Sequence, residues 1–121
     1  QLYRKLMKDK LEINKGMLVE NIVAQMLRAT GHKLYFFSSN SRTDASNRME
    51  IDFLIPKAVV STRHNIHPIE VKSTTRYTLT SLSKFREKYA EWVAEPIVVH
   101  YADLSMNDGI LFLPIYMVEM L

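Results

Sequence analysis

The chain has 121 residues, 47% of them hydrophobic and 24% charged, the balance of one soluble globular domain with a single core. No apolar run approaches the roughly 20 residues needed to span a bilayer, no signal peptide is visible, and the absence of cysteine excludes disulfides and thiolate zinc sites and points to the cytoplasm. A net charge of +3 permits a polyanionic partner without requiring one.

The chain opens on Gln1 inside a polar, helix-prone segment, as expected of a domain cut from a longer polypeptide. Residues Gln1 to Lys15 read as a charged helical lead-in, with Gly16 breaking it or marking a tight junction before the main domain at 16–121. Met17 to Arg28 form the clearest helix, striped by Leu18, Val19, Ile22, Val23, Met26 and Leu27, and Gly31 stands where a C-terminal cap belongs. Lys33 to Phe37 is a short aromatic strand, followed by a polar loop from Ser38 to Arg48. Met49 to Ile55 and Ile66 to Lys72 are the next strands, joined by a polar turn around Ser61 to Asn65. Thr80 to Trp92 is a helix with Leu82, Phe85, Tyr89 and Trp92 on one face, and Ile97 to Tyr101 a strand suited to burial. A polar turn (Asp103 to Gly109), a short strand (Ile110 to Leu113) and a helical turn after Pro114 complete the chain. This order predicts an α/β domain, α+β by a stricter definition, built on a mixed sheet flanked by helices.

Strand alternation places Glu50, Asp52 and Leu54 on one face and Ile51, Phe53 and Ile55 on the other, while Glu70 and Lys72 share a face of the next strand. An antiparallel hairpin centred near Ser61 sets Asp52 opposite Glu70, with Cβ atoms roughly 4.5–5.5 Å apart. Two carboxylates at that spacing repel unless a cation lies between them, and Mg²⁺ commonly uses one or two carboxylates and keeps several waters. Lys72 would orient or deprotonate such a water, or neutralise charge on a phosphate. Glu20 lies at the edge of the helical stripe, positioned to complete the shell directly or through water. Each of these has a plainer reading. Glu-x-Lys arises by chance in about one chain in three of this length, so alone it carries no weight. A hairpin with a solvated face carrying cross-strand ion pairs fits the same pattern, and Glu20 alone reads as a solvent-facing helix residue.

Other candidates carry less. His32, His64, His67 and His100 have no zinc-like spacing and read as surface or turn residues, and Ser73, Thr74 and Thr75 as a turn and cap. No glycine-rich phosphate loop is present. Arg48, Arg76, Lys84 and Lys88, with Arg42 and Arg63, would form a basic rim for a nucleic-acid backbone, although each alone is ordinary solubilising charge.

The run Gly16-Met-Leu-Val-Glu20-Asn-Ile-Val, then Glu50-Ile-Asp52-Phe, then Pro68-Ile-Glu70-Val-Lys72-Ser73 resembles the PD-(D/E)XK, or restriction-endonuclease-like, superfamily. More narrowly it resembles the DUF4143 domain that follows an AAA-type ATPase module in many bacterial and archaeal proteins. The resemblance implies Asp52 and Glu70 as metal ligands, Lys72 as the catalytic lysine and Glu20 as the helix-borne acid. It further implies Mg²⁺ or Mn²⁺ as cofactor, DNA as partner, and an N-terminal ATPase in the same polypeptide that alone would bring ATP. Ile51 stands where the superfamily's proline belongs, and no Gln-x-x-x-Tyr follows, which disfavours the RecB-like subgroup. The function expected is a Mg²⁺-dependent phosphodiesterase, endonuclease or exonuclease, acting on DNA. The alternative is a catalytically silent module that binds nucleic acid or protein and regulates the attached ATPase. A homo-oligomer is compatible with either, and no membrane association is expected.

Overall fold

Strong helix formers dominate the start of the chain, and residues Leu2–Ala29 form one helix, α1, running unbroken through Gly16. The computed structural model describes the backbone of residues 2–39, 43–45, 48–57 and 63–121, and the side chains of all of these except 3 and 5–14. The expected break at Gly16 is therefore corrected. One glycine costs a helix about 1 kcal/mol, too little to end one anchored by packing. The end of α1 is as expected: Gly31, at φ +93°, lets the Gly31 and His32 amides turn back onto the carbonyls of Arg28 and Leu27.

The predicted apolar stripe is rotated in the structure. Val19, Val23, Ala24 and Leu27 are buried, whereas Leu18 and Ile22 are exposed at 59% and 41%. At 100° per residue the buried row is centred on the side that also carries Gly16 and Glu20, away from Leu18. That rotation turns Glu20 toward the sheet.

Among the described residues six strands form one sheet in the order β1-β2-β3-β4-β6-β5. They are β1 (Tyr35–Ser39), β2 (Met49–Pro56), β3 (Ile66–Val71), β4 (Ile97–His100), β5 (Ser105–Asn107) and β6 (Ile110–Pro114). The β1–β2, β2–β3 and β5–β6 pairs are antiparallel, and β3–β4 and β4–β6 are parallel. The expected mixed sheet flanked by helices is thus the fold. On one face α1 and a C-terminal 3-10 helix (Ile115–Met120) cover Phe53, Ile55, Ile69, Val71, Ile97 and Val99. On the other, helix α2 (Thr80–Lys88) packs Leu82 and Phe85 against Met49, Ile51, Val98 and Ile110. No helix among the described residues is long and apolar enough to cross a membrane.

Three boundaries depart from the sequence reading. Helix α2 stops at Lys88 rather than Trp92: Tyr89 leaves helical geometry (φ −113°, ψ 34°), the Trp92 amide turns back onto the Tyr89 carbonyl, and the carbonyls of Glu91 and Trp92 accept the amides of His64 and Ile66; Trp92 is 53% exposed. The aromatic strand starts at Tyr35, since Leu34 packs into the α1-side core. Part of the expected polar turn is strand β5, joined to β6 through Asp108 and Gly109, whose φ values of 53° and 72° suit the tight hairpin turn that Asp-Gly favours. The hairpin centre at Ser61 and the rim residue Arg42 lie outside the described residues.

The two glycines differ in what they require. A Cβ on Gly109 would need left-handed backbone and would approach Arg86 Nη2 to 2.6 Å, whereas one on Gly16 would meet Ser73 Oγ at an ordinary 3.5 Å. Gly109→Ala is expected to lower the free energy of unfolding by about 1–2 kcal/mol. Gly16→Ala is expected to leave it unchanged or raise it by up to about 1 kcal/mol. Urea unfolding of the two variants measures both, and a destabilised Gly16→Ala would mean that the added methyl group is not accommodated against Ser73.

Candidate metal and active centre

The β2–β3 ladder pairs Pro56 with Ile66, Ile55 with His67, Leu54 with Pro68 and Phe53 with Ile69. One step further in that register sets Asp52 opposite Glu70, the pairing expected from a turn centred near Ser61. There the ladder gives way. The Val71 amide donates to Asp52 Oδ2 at 2.7 Å, and the Lys72 amide to the Val99 carbonyl at 2.8 Å. Strand β3 thus parts from β2 at the acid pair while its parallel pairing with β4 continues, and the Asp52 carboxylate accepts in place of a backbone carbonyl.

Simple alternation along β2 does not hold. Between Tyr35↔Leu54 and Phe37↔Ile51, β1 advances two residues while β2 advances three. The extra residue is a β-bulge opposite Phe36. It sends Met49 and Ile51 into the α2-side core and Phe53 and Ile55 into the α1-side core, correcting the expectation that Ile51, Phe53 and Ile55 share a face. Because amides of a strand point within the sheet, Asp52 must turn its carboxylate edgewise toward β3 to meet the Val71 amide.

Glu70 is 5% exposed, and its Oε2 lies 3.1 Å from Lys72 Nζ. Its Oε1 is buried with no hydrogen-bond partner among the described residues. Burial first, and the Asp52 charge second, push the Glu70 carboxyl up to about 6, with Lys72 and the Asp52 backbone amide holding it back. Glu20 is half-buried, and burial, then the charge of Asp52, push it up to about 7. A hydrogen bond to Asp52 and the charges of Glu50 and Glu70 act in the same direction. Four carboxylates therefore act on one another here, and the protein holds part of that charge down with a proton between Glu20 and Asp52.

Would a hard cation suit these residues? The donors are carboxylate oxygens, one of them buried and unpartnered, which is the chemistry such an ion takes. Among the described residues no three His, Asp or Glu side chains are grouped closely enough to hold a metal by themselves. The set therefore fits an ion bound by two carboxylates, with water making up the remainder of the shell.

The structure brings Glu20, Asp52, Glu70 and Lys72 together. The expected basic rim is more dispersed: Arg48 and Arg76 are exposed, Lys84 Nζ donates to the carbonyls of Ala45 and Arg48 at 2.8 and 3.2 Å, and Lys88 Nζ lies 5.6 Å from the Tyr89 ring centre. Lys84 is thus a structural tie for the segment entering β2. Three participants escape a motif-based reading. Glu50 adds charge to Glu20, and its spacing from Asp52 was a visible signal. Tyr77 stands under Lys72, whose Nζ lies 5.8 Å from the ring centre. His100, expected at the surface, is 7% exposed and bonded to the Tyr77 hydroxyl at 3.2 Å, a contact made across the sheet that no local pattern announces.

Both raised carboxyls bind a proton more tightly in the folded chain than in the unfolded one. The stability they contribute is full below about pH 4.5 and is lost as pH rises through about 6 to 7. Thermal unfolding followed from about pH 5 to about pH 8 is expected to give a falling Tm. Glu20→Gln, which mimics the protonated acid, should flatten the upper part of that fall. A Tm that rises across the window would mean the acids are not held in their neutral forms.

No curated protein and no solved structure matches the chain. Residues 15–118, most of its length and all of the acid cluster with Lys72, match the family described as Domain of unknown function (DUF4143), and the chain belongs to that family.

Proposed function

We propose that this domain is a Mg²⁺- or Mn²⁺-dependent phosphodiesterase of the PD-(D/E)XK type acting on DNA. The observation that carries the reading is the buried Glu70 carboxylate, one oxygen on Lys72 and the other without a partner among the described residues, beside Asp52 where β2 and β3 part. A buried acid oxygen left bare is costly, and a hard cation removes the cost. When bound, such an ion polarises a phosphodiester and lowers the pKa of a coordinated water.

The chain's own groups divide the remaining work. Asp52 and Glu70 hold the ion, Asp52 with its second oxygen already anchored on the Val71 amide and hence fixed in direction. Glu20 faces the same centre from α1 and holds or releases a proton there. Lys72, anchored through its backbone amide on β4 and through Nζ on Glu70, presents an ammonium that orients the attacking water and offsets charge gathering on the phosphate. In the same reading Arg48 and Arg76 contact the phosphate backbone, and an AAA-type ATPase module precedes the domain. The resemblance of the three motifs supports that last element.

Isothermal titration with Mn²⁺ and a cleavage assay on single- and double-stranded DNA test the proposal. Asp52→Ala is expected to abolish Mn²⁺ binding. Lys72→Ala is expected to retain it while lowering cleavage by about 10²- to 10⁴-fold. DNA binding that persists in both variants, with no cleavage by the parent protein in Mg²⁺ or Mn²⁺, would replace the enzyme with a silent nucleic-acid-binding module.

A further inference from the structure

We infer that the cavity at the carboxyl ends of β3 and β4, walled by Tyr77, Tyr101 and Asn107, receives one unpaired nucleobase of a nucleotide whose phosphate lies beside Lys72.

Strands β3, β4 and β6 run parallel, so their carboxyl ends open in one direction, and the crevice beyond such ends is the usual ligand position in sheets of this kind. Here the segment after β3, the segment after β4 and the β5–β6 hairpin enclose about 310 Å³. That is the low end of the roughly 300–1,000 Å³ range of ligand pockets and leaves room for a single base.

The walls are held in advance by a buried polar group. His100 is 7% exposed and both its ring nitrogens are committed. The Asp103 carbonyl can only accept, so His100 Nε2 carries the hydrogen and donates to it at 3.0 Å. In that tautomer Nδ1 is the acceptor, and the Tyr77 hydroxyl, 3.2 Å away, donates to it. Tyr77 is thereby fixed in orientation.

The chemistry of the lining suits a base with a phosphate attached. Tyr77 and Tyr101 offer ring faces for stacking, and Asn107 offers one donor and one acceptor group for a base edge. Asn107 is itself set in register by pairing with Ile110. Each ring also carries an ammonium: Lys72 Nζ stands 5.8 Å from the Tyr77 centre and Lys15 Nζ 5.2 Å from that of Tyr101. Aromatic faces flanked by cations are the arrangement that binds single-stranded nucleic acid through stacking and phosphate pairing together. The position of the phosphate rests on the phosphodiesterase reading, whereas the base pocket stands on its own lining.

The test uses the full chain with EDTA present, so that no cleavage intervenes. Binding of a short single-stranded DNA is compared with that of the same strand made abasic at each position in turn, and with deoxynucleoside monophosphates. One abasic position is expected to weaken binding by at least about tenfold. Tyr101→Ala, an exposed residue whose loss leaves the core intact, should erase that difference, and Asn107→Asp should change which base is preferred. Mononucleotides binding as tightly as the strand would identify the ligand as a free nucleotide in the same pocket. Equal affinity with and without every base, no binding of any probe, or undiminished base dependence in Tyr101→Ala would overturn the pocket, whether or not the protein cuts DNA in Mg²⁺. Base dependence without cleavage in any divalent metal would leave the pocket standing and overturn the phosphodiesterase.

Discussion

Everything at the candidate centre follows from the point where β2 and β3 stop being partners. From Pro56 to Phe53 the hairpin is an ordinary antiparallel ladder. Beyond it β3 keeps its parallel pairing with β4 but has no ladder partner on β2, and a backbone amide left facing β2 requires an acceptor. The Asp52 carboxylate supplies one for Val71. The bulge opposite Phe36 makes this reach feasible by adding a residue to β2 where its partner has none. It also lets β2 feed one core with Met49 and Ile51 and the other with Phe53 and Ile55. The acid is therefore a structural member of the sheet as well as a candidate ligand.

That double role explains the charge balance. A carboxylate tied to the sheet cannot swing away from its neighbours, so Glu70 and Glu20 face a fixed negative charge while partly withdrawn from water. The chain offsets the charge by one ammonium, Lys72, and by protons, and it leaves one Glu70 oxygen without a partner. In the proposed reading, a cation entering such a cluster would replace protons, relieve repulsion and satisfy that oxygen in one event. Structural ion pairs at the surface have none of these features, which separates this cluster from the solvated hairpin face that the same sequence pattern permits.

The long helix α1 contributes through its rotation on the sheet. Glu20 faces inward because Val23 and Leu27 define the buried row, and Gly16 sits one turn earlier on that same side against Ser73. On the opposite sheet face the corresponding link is polar. His100, at the end of β4, reaches Tyr77, and Tyr77 underlies Lys72. Both layers thus converge on the end of β3, one with a carboxylate and the other with an aromatic ring backed by histidine.

Elements with a strong local period were legible from the residues: the helix at Met17 to Arg28, the strand at Ile66, and the cap at Gly31. The register of the β2–β3 ladder, Phe53 with Ile69 through Pro56 with Ile66, was legible too, because a hairpin has one centre and its partners lie at equal distances from it. The family followed from three short motifs in order. The bulge, the sidedness of Ile51 against Phe53, the rotation of α1 and the continuity through Gly16 were not legible, since each depends on which surface a segment meets rather than on its own sequence. The same holds for Lys84, a rim cation by composition and a tie to Ala45 and Arg48 in the fold, and for buried His100. Local periodicity and turn chemistry are short-range properties carried by consecutive residues. Burial and the ionisation of Glu20 and Glu70 arise from groups distant in the chain, and they exist only once packing has removed the water between them.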